Sequence, residues 1–377
     1  GINGLVAANY LARAGHKVTL LEHKDHVGGA CIAETADVDG IKQDYPLGAT
    51  VLGLMQDFVW QETGLADRLQ AWAPTDPNLA FFPGADEPTR IFHDGEKTRT
   101  EFAEKWNERG DLAAYQNDGD RVVEFLQKGY REGRAPSVEA TVEALGEQLT
   151  SLWITGSAQD LLDHYLTDER SKVYAAMLVT EAGPVAPSEP YSAFIIPMMN
   201  SGSIFGGHYG FVRGGLWQVT HELGQINREL GVELLLSCDV QEVDTSTGTI
   251  RAEAADGAQT LNCDHIMFGT DPQTAARLCG DEGLIRQTDE ERILGTAGKL
   301  NLMFRNPVRW KHGGGSDAAD AVFRYFFAVE TMADFEAATL AVTNGEDFVP
   351  SYFQVYAEGA GLRQQGLVEP FDRITVF

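Results

Sequence analysis

The chain has 377 residues, 43% of them hydrophobic, with 56 acidic against 29 basic side chains and a formal net charge of −27. That length is large for a single core and points to two connected domains, while no window reaches the ~18 consecutive apolar residues of a membrane span. So acidic a surface repels phosphate backbones and anionic headgroups, which argues against nucleic-acid partners and against lipid binding driven by charge.

Only 9 of the basic residues are lysines. Adaptation to high salt, where screening relieves self-repulsion, and an ordinary acidic cytoplasmic protein account for this equally well. The first 22 residues read as a loop, a helix and a strand. Gly1-Ile2-Asn3-Gly4 enters the small-residue helix from Leu5, Gly15 stops it, and Lys17 to Leu21 is a strand closed by Glu22. This is the back half of a G-x-G-x-x-G dinucleotide fingerprint. Gly1 lets main chain approach a pyrophosphate, Gly4 lets the helix pack on the sheet, and the helix aims free N–H groups at the phosphates. Glu22, 21 positions after Gly1, stands where a carboxylate accepts hydrogen bonds from a ribose. The plainer alternative is a glycine turn before an ordinary helix. The pair Gly28-Gly29 gives a second bare-backbone approach, which favours FAD over NAD; a surface turn is the alternative there.

Asp44-Tyr45-Pro46-Leu47-Gly48-Ala49 follows a turn at Gly40, and Gln56 to Leu69 reads as a helix. Phe81–Gly84 and Thr89–Phe92 read as short strands. Helices are expected at Thr100–Trp106, Asp120–Tyr130, Ser137–Leu152 and Ala158–Asp163, with Ser137 as a cap before Glu139. The run Tyr191–Met199 is the most apolar. It is read as core, with a tunnel wall for an apolar substrate or a peripheral membrane contact as alternatives. Leu216, Val219, Leu223, Ile226 and Leu230 follow helical spacing up to Gly231. Glu233–Leu236 and His265–Phe268 are expected as buried strands. Val240–Val243 is a short strand, and Thr249–Glu253 and Gln259–Asn262 form a hairpin across Asp256-Gly257. Lys299–Phe304 and Val322–Phe327 read as strands and Thr331–Ala338 as a helix. Cys31, Cys238, Cys263 and Cys279 lack C-x-x-C spacing, so no redox disulfide is expected. Cys31 reads as a small core residue in preference to one facing a cofactor. The nine histidines lack ligand spacing, and no metal site is expected.

The opening G-x-N-G-L-V-A-A-N-Y-L-A and L-L-E-H-K-D-H-V-G-G-A resemble the N-terminus of the phytoene-desaturase-like flavoproteins, and within them the pyridine nucleotide-disulfide oxidoreductase domain-containing protein 2 group. Tyr209–Leu216, Gly269-Thr270-Asp271-Pro272 and Gly298–Leu302 resemble later segments of that group, so the likeness runs to about residue 305. It implies an α/β protein: an FAD-binding doubly wound (Rossmann-like, glutathione reductase-type) domain with an inserted α+β substrate or cap domain. The division expected is 1–75 and 205–284 for the FAD domain, and 76–204 and 285–377 for the cap. Cofactor contacts carry over to Gly1, Asn3, Gly4, Glu22, His23, Gly28, Gly29, Ala30, Gly48, Val240 and Asp271. Gly48 would admit the flavin ring, and the Val240 backbone would pair with the adenine edge, unless ladder pairing in a sheet occupies it.

The expected function is an FAD-dependent oxidoreductase moving a hydride between a small apolar substrate, isoprenoid-like or unsaturated, and the flavin. No nucleophile, acid–base pair or metal set competes with that reading. Lys299 is the single catalytic candidate, since related amine oxidases carry a lysine on the matching strand that holds a water near the flavin; a solvated strand-end lysine is the alternative. An amine oxidase and a non-enzymatic flavin-bearing regulator are the other functions in play. The family's late glycine-rich closing segment is not found after Arg373–Phe377, and its first strand would precede Gly1. Both ends therefore read as cut, with weak folding and weak FAD binding expected of these residues alone. A cytoplasmic location is expected, with a targeting segment and the oligomeric state left open.

Overall fold

Leu5 and Ala8 lie on one face of the helix Ile2–Arg13 and are buried. They meet Val219, Leu223 and Ile226 of the helix Gln218–Glu229, and Leu52, Trp60, Leu65, Val212 and Leu216 complete this core. The computed structural model describes residues 1–134, 137–291, 295, 297–313 and 321–377. Each of the two helices precedes a strand. Thr19–Leu21 and Glu233–Leu235 pair in parallel, with Thr19 opposite Glu233. A three-stranded antiparallel meander follows, Asp239–Asp244, Thr249–Ala254 and Gly257–Asn262. The hairpin expected across Asp256-Gly257 forms, but its two turn residues are Ala255-Asp256, and Gly257 already pairs with Ala254 as the first residue of the returning strand.

The second core lies between helices and a sheet. Trp153, Leu161, Leu162, Val173, Ile196 and Phe335 are almost fully buried within it. They come from Glu147–Trp153, Ala158–Tyr165, Glu169–Glu181, Ser192–Met199 and Met332–Asn344. Among the described residues the sheet has six strands, in the order Leu300–Phe304, Asp372–Val376, Tyr352–Ala357, Arg324–Ala328, Asn78–Phe81 and Thr89–Ile91. Only Asn78–Phe81 against Arg324–Ala328 is parallel. Segments far apart in sequence thus build one sheet. The apolar run after Tyr191 is core, with Ala193, Ile195, Ile196 and Pro197 buried. No helix among the described residues is long and apolar enough to cross a membrane.

Several expectations need correction. The helix expected over Gln56–Leu69 spans only Asp57–Glu62, because Gly64 is left-handed (φ 89°), and a 3-10 turn follows at Leu65–Asp67. Gly146 (φ 85°) likewise divides the expected Ser137–Leu152 helix into Val138–Leu145 and Glu147–Trp153. The Ser137 hydroxyl accepts from Ala140 N at 3.1 Å, as its capping role requires. Glu169–Glu181 was not foreseen: its buried residues, Ser171, Val173, Ala175, Ala176, Met177 and Val179, give no single apolar stripe to read. Glu233–Leu235 is a strand, but Glu233 is exposed and its neighbours are half-buried. His265–Phe268 forms no ladder among the described residues, and Met267 is 67% exposed. With no described strand alongside, the segment makes no ladder hydrogen bonds, and Met267 and Phe268 stay exposed.

Candidate functional site

The helix Ile2–Arg13 begins at Gly1 with no side-chain cap and no acidic residue in its first turn, so its leading N–H groups are unspent. Bare backbone surrounds that end. A Cβ on Gly29, which is left-handed (φ 63°), would stand 2.9 Å from the Gly1 Cα, and a Cβ on Gly4 would stand 3.9 Å from the Gly269 Cα. The four glycines bring bare main chain together in a cradle at the positive end of a helix dipole, closely enough at Gly29 that a side chain would collide with Gly1. Two side chains of the helix Gln218–Glu229 fix it. The Thr220 hydroxyl donates to Cys31 O at 2.8 Å, and the Asn227 amide donates to Leu5 O at 2.9 Å. Gly28 is buried in the same loop. Asn3 and Ala30 are exposed at its mouth.

Glu22 sits beside this cradle, with its Oε2 3.8 Å from the Gly1 nitrogen. Its Oε1 accepts from Lys24 N at 3.1 Å and lies 3.0 Å from Nδ1 of the largely exposed His23. The chain at Ser237–Cys238 runs alongside, with Cys238 N donating to Glu22 O and Ser237 N to Lys24 O. That brings Val240 to the same end of the site. Val240 lies opposite Ala252 in the meander, on its outer strand, where the register shifts. Asp271 is an N-cap: its Oδ1 accepts from Thr274 N at 2.9 Å and its Oδ2 from the Thr274 hydroxyl at 2.7 Å. These bonds to Thr274 hold its carboxyl below the ordinary range. Cys31 is half-buried with its Sγ 3.5 Å from Leu216 O, and all four cysteines are free.

Gly48 follows the hairpin Ala33–Val38/Ile41–Pro46. A Cβ there would stand 2.5 Å from Ala30 O, so only glycine lets these two loops meet. Lys299 reaches the same place: its Nζ donates to Pro46 O and to Gly48 O, each at 2.7 Å. It also lies 5.4 Å from the Phe377 ring centroid. Burial lowers its pKa to about 8, against an opposing pull from Glu358. The structure therefore joins Lys299, Gly48, Ala30, Gly29 and Gly1 through successive contacts.

Sequence reasoning missed the polar network behind Lys299. Arg373 Nη1 lies 2.8 Å from Glu358 Oε2, and Arg373 Nε donates to Glu369 Oε2 at 2.6 Å. Glu358 is 2% exposed. A carboxylate followed by Gly359-Ala360-Gly361 was the available signal. Those small residues let the helix Glu358–Arg363 seat closely, for a Cβ on Gly361 would stand 2.3 Å from the Phe211 ring. Phe211, Phe323 and Tyr356 form an aromatic cluster that Trp72 and Phe377 flank, continuous with Lys299 through Phe377.

The chain belongs to the flavin-containing amine oxidoreductase family, which it matches over residues 2–348. It is 26% identical over 309 residues to a 4,4'-diapophytoene desaturase (4,4'-diaponeurosporene-forming) of Staphylococcus aureus (strain COL), a match covering 78% of this chain and 58% of that protein. The chain thus spans little more than half the length of that relative. Two solved structures, each covering all of this chain, share its fold. An oxidoreductase from Methanosarcina mazei has a TM-score of 0.56 at 15% identity over 76% of its length. Cyclohexylamine oxidase from Brevibacterium oxydans IH-35A has a TM-score of 0.54 at 14% identity over 72%. The cofactor is FAD, and the uncapped start of the helix Ile2–Arg13, with bare glycine backbone and no acidic residue in its first turn, fits its diphosphate.

Proposed function

We propose that the protein is an FAD-dependent oxidoreductase acting on an apolar, unsaturated substrate of isoprenoid character. The carrying observation is the bare-backbone cradle of Gly1, Gly4, Gly29 and Gly269 joined through Ala30 and Gly48 to a half-buried lysine. Gly1, Gly4, Gly28 and Gly29 would take the diphosphate, with Asn3 and Ala30 at its edge. Glu22 would hold the ribose, with His23 beside it. The Val240 backbone would meet the adenine, and Asp271 would shape the turn facing the helix end. Bound FAD supplies the two-electron chemistry at a substrate carbon. Lys299 would hold a proton or a water at the ring edge, its ammonium oriented by the Pro46 and Gly48 carbonyls. The cluster of Phe211, Phe323, Tyr356 and Phe377 would exclude water and offer an apolar wall. In this reading 1–75 and 205–284 make the FAD domain and 76–204 and 285–377 the cap, supported by the pairing of Thr19–Leu21 with Glu233–Leu235 and of Asn78–Phe81 with Arg324–Ala328. Four free cysteines suit a reducing compartment such as the cytoplasm.

The amine-oxidase reading has the family and the shared fold behind it. Against it, an aromatic cage is already filled by the chain's own cation: Arg324 Cζ lies 5.0, 4.4 and 5.2 Å from the rings of Tyr209, Phe326 and Tyr356. The test is anaerobic titration of the intact flavoprotein with a linear polyene and with primary amines, followed by flavin absorbance. Bleaching by the polyene alone supports the proposal; bleaching by amines alone overturns it.

A further inference from the structure

We infer that Glu358 is a positioning residue: through Thr375 and Asn301 it sets the carbonyl clamp that grips Lys299. The inference rests on the reading of Lys299 given above. Four segments of chain converge here. Pro46 O accepts from Lys299 Nζ at 2.7 Å and also from Asn301 Nδ2 at 3.3 Å. The other end of the Asn301 amide, Oδ1, lies 3.1 Å from the Thr375 hydroxyl, and that hydroxyl also lies within hydrogen-bond distance of Glu358 Oε1. A threonine hydroxyl carries one proton and cannot donate to both oxygens.

Two arrangements satisfy this geometry. With Glu358 ionised, Thr375 donates to the carboxylate and Asn301 Oδ1 loses its donor. With Glu358 protonated, its O–H donates to Thr375, and Thr375 donates to Asn301, whose amide then holds Pro46 O. The links between Glu358 and Lys299 lie in series, so the state of the carboxyl decides whether the Asn301 amide is held at both its ends or only at Pro46 O. The surrounding charges are few. Arg373 faces Glu358 and Glu369, Asp44 acts on Arg373, and Lys299 and Glu358 act on each other. Burial raises the Glu358 carboxyl, with Arg373 and the Thr375 bond opposing it. An apolar set of similar volume would hold these strands together at less cost in desolvation. Stability alone therefore does not account for a buried relay ending on a lysine.

The test is competitive acetylation of Lys299 by acetic anhydride across pH, read by mass spectrometry on the intact holoprotein, which does not depend on turnover. The wild-type midpoint is expected below that of an ordinary lysine, because burial disfavours the ammonium. Glu358→Gln removes a charge that favours the ammonium while its amide still donates to Thr375, so the midpoint falls through the lost charge and this variant measures that part separately from the relay. Thr375→Val breaks the relay and loosens the clamp, giving the same direction, because hydrogen bonds to the charged form favour it. Thr375→Ser keeps the hydroxyl and stays with wild type. A Thr375→Val midpoint within about 0.2 unit of wild type, with native circular dichroism, overturns the inference whatever Glu358→Gln does. Lys299→Met with unchanged flavin reoxidation, alongside shifted midpoints, would keep the relay and discard only the catalytic reading.

Discussion

Replacing Gly29 with alanine separates the cradle from simple backbone strain. Two costs arise at this position. The left-handed backbone (φ 63°) costs an alanine about 1 kcal/mol. The new methyl would also stand 2.9 Å from the Gly1 Cα, a backbone atom that can yield only by shifting the loop, and such overpacking costs about 1–3 kcal/mol. Gly15 is the control, because it is also left-handed (φ 88°) yet has no atom within 4 Å of the added methyl. Gly15→Ala should lower thermal stability slightly and leave FAD affinity unchanged. Gly29→Ala should lower stability further and weaken FAD binding by about 10–100-fold, at about 1.4 kcal/mol per tenfold. Calorimetric unfolding and fluorescence titration with FAD on the intact protein measure both. Equal affinities for the two variants would refute the claim that Gly29 meets Gly1 at the cofactor.

Lys299→Met should slow reoxidation of the reduced flavin by about tenfold or more in stopped-flow absorbance; wild-type kinetics would remove Lys299 from the chemistry. Glu108 is 3% exposed and accepts from Gly110 N, Thr167 N, Asp168 N and the Thr167 hydroxyl. Burial pulls its pKa up, but these bonds outweigh burial and hold it at about 2 against an ordinary 4.5. A depressed carboxyl stabilises the fold above its unfolded pKa, so this contribution is complete above about 4.5 and is lost as pH falls toward 2. Glu108→Gln should therefore cost about 1–3 kcal/mol at neutral pH, with the gap to wild type closing in acid melts; a gap independent of pH would contradict this. If self-repulsion from the net charge of −27 limits stability, the melting temperature rises as KCl is raised from ~0.1 to ~2 M, and a flat response would exclude it.

What was legible in the sequence was local. The spacing of Gly1, Gly4, Glu22, Gly28 and Gly29 lies within 29 residues and can be read as a pattern without knowing the distant backbone, such as Gly269, that Gly4 meets. The existence of the hairpin, though with its turn one residue earlier at Ala255-Asp256, and the helix ending before Gly231 were readable for the same reason. Failures came where context decides. Gly64 and Gly146 end helices that periodicity would continue, since periodicity does not say which glycine goes left-handed. His265–Phe268 has the composition of a buried strand, but a strand exists only with a neighbour. The Lys299 clamp was the least accessible part. Lys299 and Pro46 are 253 positions apart, and Asn301 and Thr375 are 74 apart, so only the closing of the six-stranded sheet on the hairpin brings them together.

A crystal structure of the intact protein with FAD tests the central claim most directly. The account predicts density for the diphosphate against the backbone of Gly1, Gly4 and Gly29, the ribose within hydrogen-bond distance of the Glu22 carboxylate, and the ring edge near Lys299. A diphosphate bound elsewhere, with side chains packed into the space between Gly1, Gly29 and Gly269, would contradict it.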